Sequence, residues 1–200
     1  MQNPQNKRYE IRRADPGEYK ALGRLTAQSY EQLPGMPGRA EQPAYYAMLH
    51  DVAGRAGKPF IEILVAVTPE QELLGGVTFV GDMAYYDAGG TAAANKDSSG
   101  IRLLAVKPEA RGIGVGRALT LACIRKAIER GRSQVILHTT KSMEIAWAMY
   151  ERMGFTRSPD LDFSQGALSV YGFRFITAEI YMNQGLLARN HYGGRKMHAQ

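Results

Sequence analysis

Residues 111–116 read Arg111-Gly112-Ile113-Gly114-Val115-Gly116, RGIGVG, between an apolar run at 101–106, IRLLAV, and a helix-forming segment at 117–131, RALTLACIRKAIERG. Glycine is the poorest residue after proline for a helix interior, so three at alternate positions need a geometric reason. A helix start leaves about four amides unpaired and carries roughly half a unit of positive charge, which makes it an anion site. Glycines at 112, 114 and 116 let an anion reach those amides, and Arg111 adds a cation beside them; a pyrophosphate fits.

Two familiar phosphate loops are excluded. A Walker loop needs Gly-Lys followed by Ser or Thr, whereas Gly116 is followed by Arg117 and Ala118. A dinucleotide fingerprint needs a glycine three residues after its second glycine, and the chain has Arg117 after Gly114 and Leu119 after Gly116. What remains is R-x-x-G-x-G at a strand-to-helix junction. Further on, Ala146, Met149, Tyr150, Gly154 and Phe155 follow an A-x-x-[LM]-Y-x-x-x-G-F spacing.

With these two motifs in this order, the chain resembles the GNAT superfamily of acyl-CoA-dependent N-acyltransferases, over about residues 9–182. The resemblance implies that Arg111, Gly112, Ile113, Gly114, Val115 and Gly116 hold the pyrophosphate of acetyl-CoA as cosubstrate, with no metal. It also implies that the backbone of Leu104, Ala105 and Val106 binds pantetheine and the thioester, and that Tyr150 is the general acid. Tyrosine, with a pKa near ~10, is protonated at neutral pH and suited to donate to a departing thiolate. Many members carry an asparagine where this chain has Met143, and a methionine cannot make that amide's hydrogen bond; Lys141 or Ser142 are the nearby substitutes. For the general base the candidates are Glu62, Asp82 and His138, each of which also reads as an ordinary structural polar residue, or a water chain.

Outward from the motifs, YEIRRA reads as a strand, and Asp15-Pro16-Gly17-Glu18 opens a helix to about Leu33 in capping-box style. AYYAMLHDVAGRAG reads as a second helix, and FIEILVAVT and ELLGGVTFVGD as an antiparallel hairpin. Residues 83–100 are polar and small, which predicts a long functional or mobile loop, one that folds over the acceptor. QVILHTT is a strand, SMEIAWAMYERMGF a helix, and ALSVYGFRFITAEIYM one long or two broken strands. The expected fold is α/β, a mixed and mostly antiparallel sheet with helices on both faces.

Composition sets outer bounds. Two hundred residues suffice for one domain, here 9–188, between a polar segment 1–8 and a basic segment 189–200. One cysteine, Cys123, excludes an intrachain disulfide framework and favours a cytoplasmic setting. A net charge of +6 is spread along the chain, so a polyanionic ligand explains it as well as nucleic acid does. The acceptor expected is a primary amine of a small molecule or protein, met by Tyr30, Tyr45, Tyr46, Tyr85, Tyr86 and Tyr171 with Glu31, Glu41, Asp51 and Asp87 among them. Acetyl transfer is the leading reading; an acyl-CoA-binding regulator without turnover is the alternative, and nucleic-acid binding by the basic tail a third. No membrane partner is expected, and a homodimer is left open.

Overall fold

The structure, a computed structural model, describes residues 9–178. The segments 1–8 and 189–200, and residues 179–188 of the expected domain, lie outside the described residues.

The eight strands are β1 (Glu10–Arg13), β2 (Ile61–Val67), β3 (Leu73–Val80), β4 (Ser98–Val106), β5 (Gln134–Thr139), β6 (Thr156–Arg157), β7 (Phe163–Gln165) and β8 (Leu168–Ile176). The α-helices among the described residues are α1 (Tyr19–Glu31), α2 (Pro43–His50), α3 (Val52–Ala56), α4 (Val115–Glu129) and α5 (Glu144–Arg152). The sheet runs β1-β2-β3-β4-β5-β8-β6, with β7 hairpinned onto β8. Among the described residues only the β4–β5 pair is parallel. That pair requires a crossover, and α4 supplies it.

Strand periodicity sends alternate side chains to two cores. Leu64, Val77, Phe79, Val135 and Leu137 meet Leu119 and Cys123 of α4 and Tyr150 of α5. Ile63, Val65, Val80 and Ile136 share the opposite core with Leu22 and Leu25 of α1. The expected mixed, mostly antiparallel sheet with helices on both faces is therefore the architecture. α1 is preceded by a 3-10 turn, where the Glu18 carboxylate accepts the Asp15 N–H at 2.8 Å.

Three expectations change. The helix expected over 44–57 is two, because the Asp51 carboxylate accepts the Gly54 N–H and starts α3 afresh. Segment 83–100 is less poor in core residues than its composition suggests: Met83, Tyr86 and Ala92 are fully buried against the sheet, and β4 already begins at Ser98. Its polar residues lie outward while these three side chains anchor it. Of the C-terminal strand region the described part is one strand, β8, and a short strand that the sequence did not suggest, β7, precedes it in a hairpin turned at Gly166.

Glu62, a candidate base, belongs to the scaffold. It accepts from Lys126 at 2.7 Å and Arg130 at 3.1 Å, both at the C-terminal end of α4, about 20 Å along a 15-residue helix from the glycine loop. Burial pulls its carboxyl upward, but the two cations outweigh this and hold it below the usual carboxylate range. A depressed carboxyl stabilises the fold above its unfolded pKa and loses that contribution as pH falls through the folded value. Glu62→Gln should lower stability by about 1–2 kcal/mol at pH 7, with the difference shrinking as the solution is acidified below the usual carboxylate range, as read from melting curves at neutral and acid pH.

Candidate active site

The site begins where β4 leaves β5. Their ladder covers Ser98–Ile101 against Gln134–Leu137 and stops there. On its other edge β4 stays paired with β3, but Thr78 faces Arg102 and Gly76 faces Ala105, so β4 carries one extra residue. Leu103 absorbs it at φ +55°, a conformation bulky residues rarely take. This bulge turns β4 away from β5. Leu104, Ala105 and Val106 thus run beside β3 with no ladder on the β5 side, which leaves backbone groups there for another partner.

β4 leads into the glycine loop. Val115 is buried and pins the start of α4 to the core, whereas residues 111–114 are exposed. The first intrahelical bond runs from the Ala118 N–H to the Gly114 carbonyl, so the amides of Val115, Gly116 and Arg117 precede it. Gly112 and Gly114 have φ of +80° and +91°, which accounts for glycine at both. Gly116 has no such requirement. A Cβ there would touch Met149 Sδ at 3.5 Å and Leu104 Cδ2 at 3.8 Å, which are ordinary contacts. What its missing side chain leaves free is the approach to the helix amides, and the residues fit a pyrophosphate. Tyr9, which sequence reasoning missed, borders the loop: its hydroxyl donates to the Ile113 carbonyl at 3.4 Å.

The same Gly116 contacts bring α4 against β4 and α5. Tyr150 is buried on α5, its ring edge-on to Phe155 at 5.6 Å. Burial, with smaller contributions from Cys123 and Tyr86, pushes its hydroxyl well above the usual tyrosine range, so it holds its proton at neutral pH. Thr139, at the end of β5, has a buried hydroxyl with no partner among the described residues, a vacancy a ligand at the gap can fill.

On the opposite face of the sheet a cleft opens beside the gap, lined by Tyr30, Tyr45, Tyr86, Arg102, Leu103, His138, Met143 and Phe163 among others. Tyr150 and residues 104–106 are not in its lining; Tyr150, Leu104 and Val106 pack on the α4–α5 side, and Ala105 points into the opposite core. Burial raises Tyr30, and Tyr150 is the next contributor, so the two hydroxyls sense one another between the α1 side and the α5 side. His138 Nε2 lies 2.9 Å from the Leu161 carbonyl, an acceptor only, so Nε2 carries the proton. Nδ1 then accepts from the Tyr86 hydroxyl at 2.9 Å. Of the three base candidates His138 alone lines this cleft. Glu62 lies at the far end of α4, and Asp82 caps a 3-10 turn at Ala84 and lies 3.9 Å from Arg132, beyond that same end.

The acids expected around the acceptor are placed elsewhere. Glu31 pairs with Arg39, Glu41 accepts the Gly38 N–H, Asp51 caps α3 and Asp87 pairs with Lys58, and none lines the cleft. Each satisfies a local partner one to three turns away or across a loop, which sequence spacing alone does not reveal. Arg102 was hidden in an apolar run; its one signal was a charge interrupting IRLLAV.

Among known proteins, residues 26–155 match the model of the Acetyltransferase (GNAT) family. The mycothiol acetyltransferase of Arthrobacter sp. (strain FB24) is 33% identical over 110 residues, 54% of this chain and 32% of that protein. The chain thus spans about a third of the length of this relative, and less of several others. PaiA N-acetyltransferase from Thermoplasma acidophilum, solved in complex with coenzyme A, superposes with a TM-score of 0.62 at 15% identity, over 84% of this chain and 99% of that one. The spermidine N-acetyltransferase of Vibrio cholerae, solved with CoA and spermine, gives 0.58 at 14% identity, over 88% and 99%. At these identities the likeness is one of fold.

His138 is lowered from its ordinary value chiefly by burial, with Arg102 adding and the Leu161 bond opposing. Its neutral form therefore stabilises the fold above pH ~6.5, and this is lost as pH falls through the depressed folded value. Imidazole nitrogen NMR at pH 7 should report the Nε2-protonated tautomer, with a midpoint below 6.5 that moves in Tyr86→Phe; an ordinary midpoint in both proteins would sink the assignment.

Proposed function

The chain belongs to the acetyltransferase (GNAT) family, and we propose that it transfers an acetyl group from acetyl-CoA to the primary amine of an acceptor held in the cleft. The observation that carries this reading is the common meeting point of three features at the β4–β5 gap. The open edge of Leu104–Val106, the glycine-lined start of α4 and the buried Tyr150 lie on one side, and the aromatic cleft on the other.

Acetyl-CoA supplies an activated thioester. The amides of the 111–116 loop, with Arg111, hold its pyrophosphate, and the backbone of Leu104, Ala105 and Val106 binds the pantetheine arm and stabilises charge developing on the carbonyl oxygen. Tyr150, kept protonated by burial, donates its proton to the departing sulfur. An alkylammonium with pKa near ~10.4 needs roughly 4–5 kcal/mol to present its neutral form at pH 7, so a proton acceptor belongs beside it. Tyr86 and His138 fill that role as a pair: the acceptor's N–H proton passes to the Tyr86 oxygen as the Tyr86 proton passes to His138 Nδ1. His138 is fixed on β5 and Tyr86 is buried against the sheet, and holding the partners in place lowers the orientational cost of attack.

Calorimetric titration with acetyl-CoA tests the cofactor half. Gly116→Glu, at a position whose backbone angle does not require glycine, puts an anion where the pyrophosphate sits and should abolish binding while the fold survives by circular dichroism; retained binding would mean that the loop is not the cradle. For the chemical half, Tyr150→Phe should lower kcat by about a hundredfold with acetyl-CoA affinity unchanged, measured by thiol release. An undiminished kcat would remove Tyr150 from the mechanism.

A further inference from the structure

Arg102 is a half-buried cation in the wall of the acceptor cleft. Its Nη1 donates to the Tyr86 carbonyl at 2.6 Å, and its guanidinium carbon lies 5.7 Å from the Tyr86 ring centre. The group shares the cleft lining with Tyr30, Tyr45, Tyr86 and His138, and its charge acts on all four. A guanidinium has five N–H donors, and the Tyr86 carbonyl takes one of them. Among the described residues no carboxylate lies within ion-pair distance of Arg102. The nearby acids are committed: Asp87 to Lys58, Glu31 to Arg39, and Asp162, which faces His138, to Arg157 at 2.7 Å.

A second guanidinium reinforces this field. Arg55 donates to the carbonyls of Met48 and Leu49 at the end of α2, and burial followed by the charge of Arg102 pushes it down to about 10. It is still charged at neutral pH. Most of the remaining lining is apolar or aromatic, including Met36, Leu168 and Val170, with Thr139, Thr140 and Gln165 as its uncharged polar residues. A partly desolvated cation without a counter-ion is costly, and an arriving carboxylate relieves that cost through a charge-assisted, bidentate contact. A second ammonium on the acceptor would instead meet like charge in a low-dielectric wall.

We propose that the acceptor is an amino carboxylate with an apolar or aromatic body, whose carboxylate is received by Arg102. The inference rests on the acetyl-transfer reading and names its substrate class. The carboxylate fixes the molecule against β4, the apolar body lies among the aromatic and methionine side chains, and the amine is left to face the strand gap.

Thiol release from acetyl-CoA by the full chain, with three acceptors, tests this. L-Phenylalanine should give a kcat/KM about ten- to a hundredfold above phenethylamine, which has the same body without the carboxylate, and spermidine should be the poorest. Arg102→Gln should bring the first ratio down at least about tenfold, and Arg102→Lys, which keeps the charge but not the fork, should keep part of it. Phenethylamine or spermidine matching phenylalanine would overturn the proposal, as would a ratio indifferent to Arg102→Gln. Should that variant fail to fold, the native comparison and the lysine variant decide. No turnover of any of the three by protein that binds acetyl-CoA in the calorimeter would overturn the acceptor assignment alone. Failure to bind acetyl-CoA would take down the transfer reading and the acceptor with it.

Discussion

The parting of β4 from β5 is the constraint on which the rest depends. Two parallel strands that stay paired bury their backbone groups in each other and offer nothing to a ligand. Here the ladder ends at Ile101 and Leu137, and an extra residue at Leu103 bends β4 while β3 keeps its opposite edge paired. The sheet is left whole on one side and open on the other. The positive φ of Leu103 is a local cost that the hydrogen bonds to β3 and the packing of β4 hold in place.

Around the opening the chain separates two kinds of chemistry. On the α4–α5 side, amides at a helix start and a buried tyrosine suit phosphate and a leaving thiolate. On the α1–α2 side, aromatic walls surround one guanidinium and one neutral imidazole. Gly23 contributes at a distance: a side chain there would run into the His50 carbonyl, so its absence lets α2 approach α1 and bring Tyr45 beside Tyr30, their rings 6.5 Å apart. Burial keeps these tyrosines protonated, which makes them donors and walls rather than anions.

The three glycines of the loop have different causes. At 112 and 114 the backbone angle demands glycine whatever binds, whereas at 116 neither the angle nor the packing does. That contrast separates a loop shaped for its own folding from one shaped also for a ligand. The far end of α4 has the opposite character. There Glu62 ties Lys126 and Arg130 to β2, and the helix is anchored where no chemistry occurs, leaving its free amides aimed at the loop.

The sequence by itself determined the strand-loop-helix unit at 101–130, the second motif around Tyr150, and through them the sheet and its two helical faces. These are local signals: periodicity, caps and glycine placement act within a few residues along the chain. It also singled out His138 and six tyrosines, of which Tyr30, Tyr45 and Tyr86 line the cleft and Tyr46, Tyr85 and Tyr171 do not. Only the tertiary structure decided which polar groups meet. Glu62, Asp82, Glu31, Glu41, Asp51 and Asp87 all read as available carboxylates, and each is taken by a neighbour or lies at the wrong end of α4. Arg102 read as one charge in an apolar strand, and it is the cation in the lining of the cleft. Ion pairing depends on distances through space between elements far apart in the chain, and a one-residue bulge decides which face a strand residue presents.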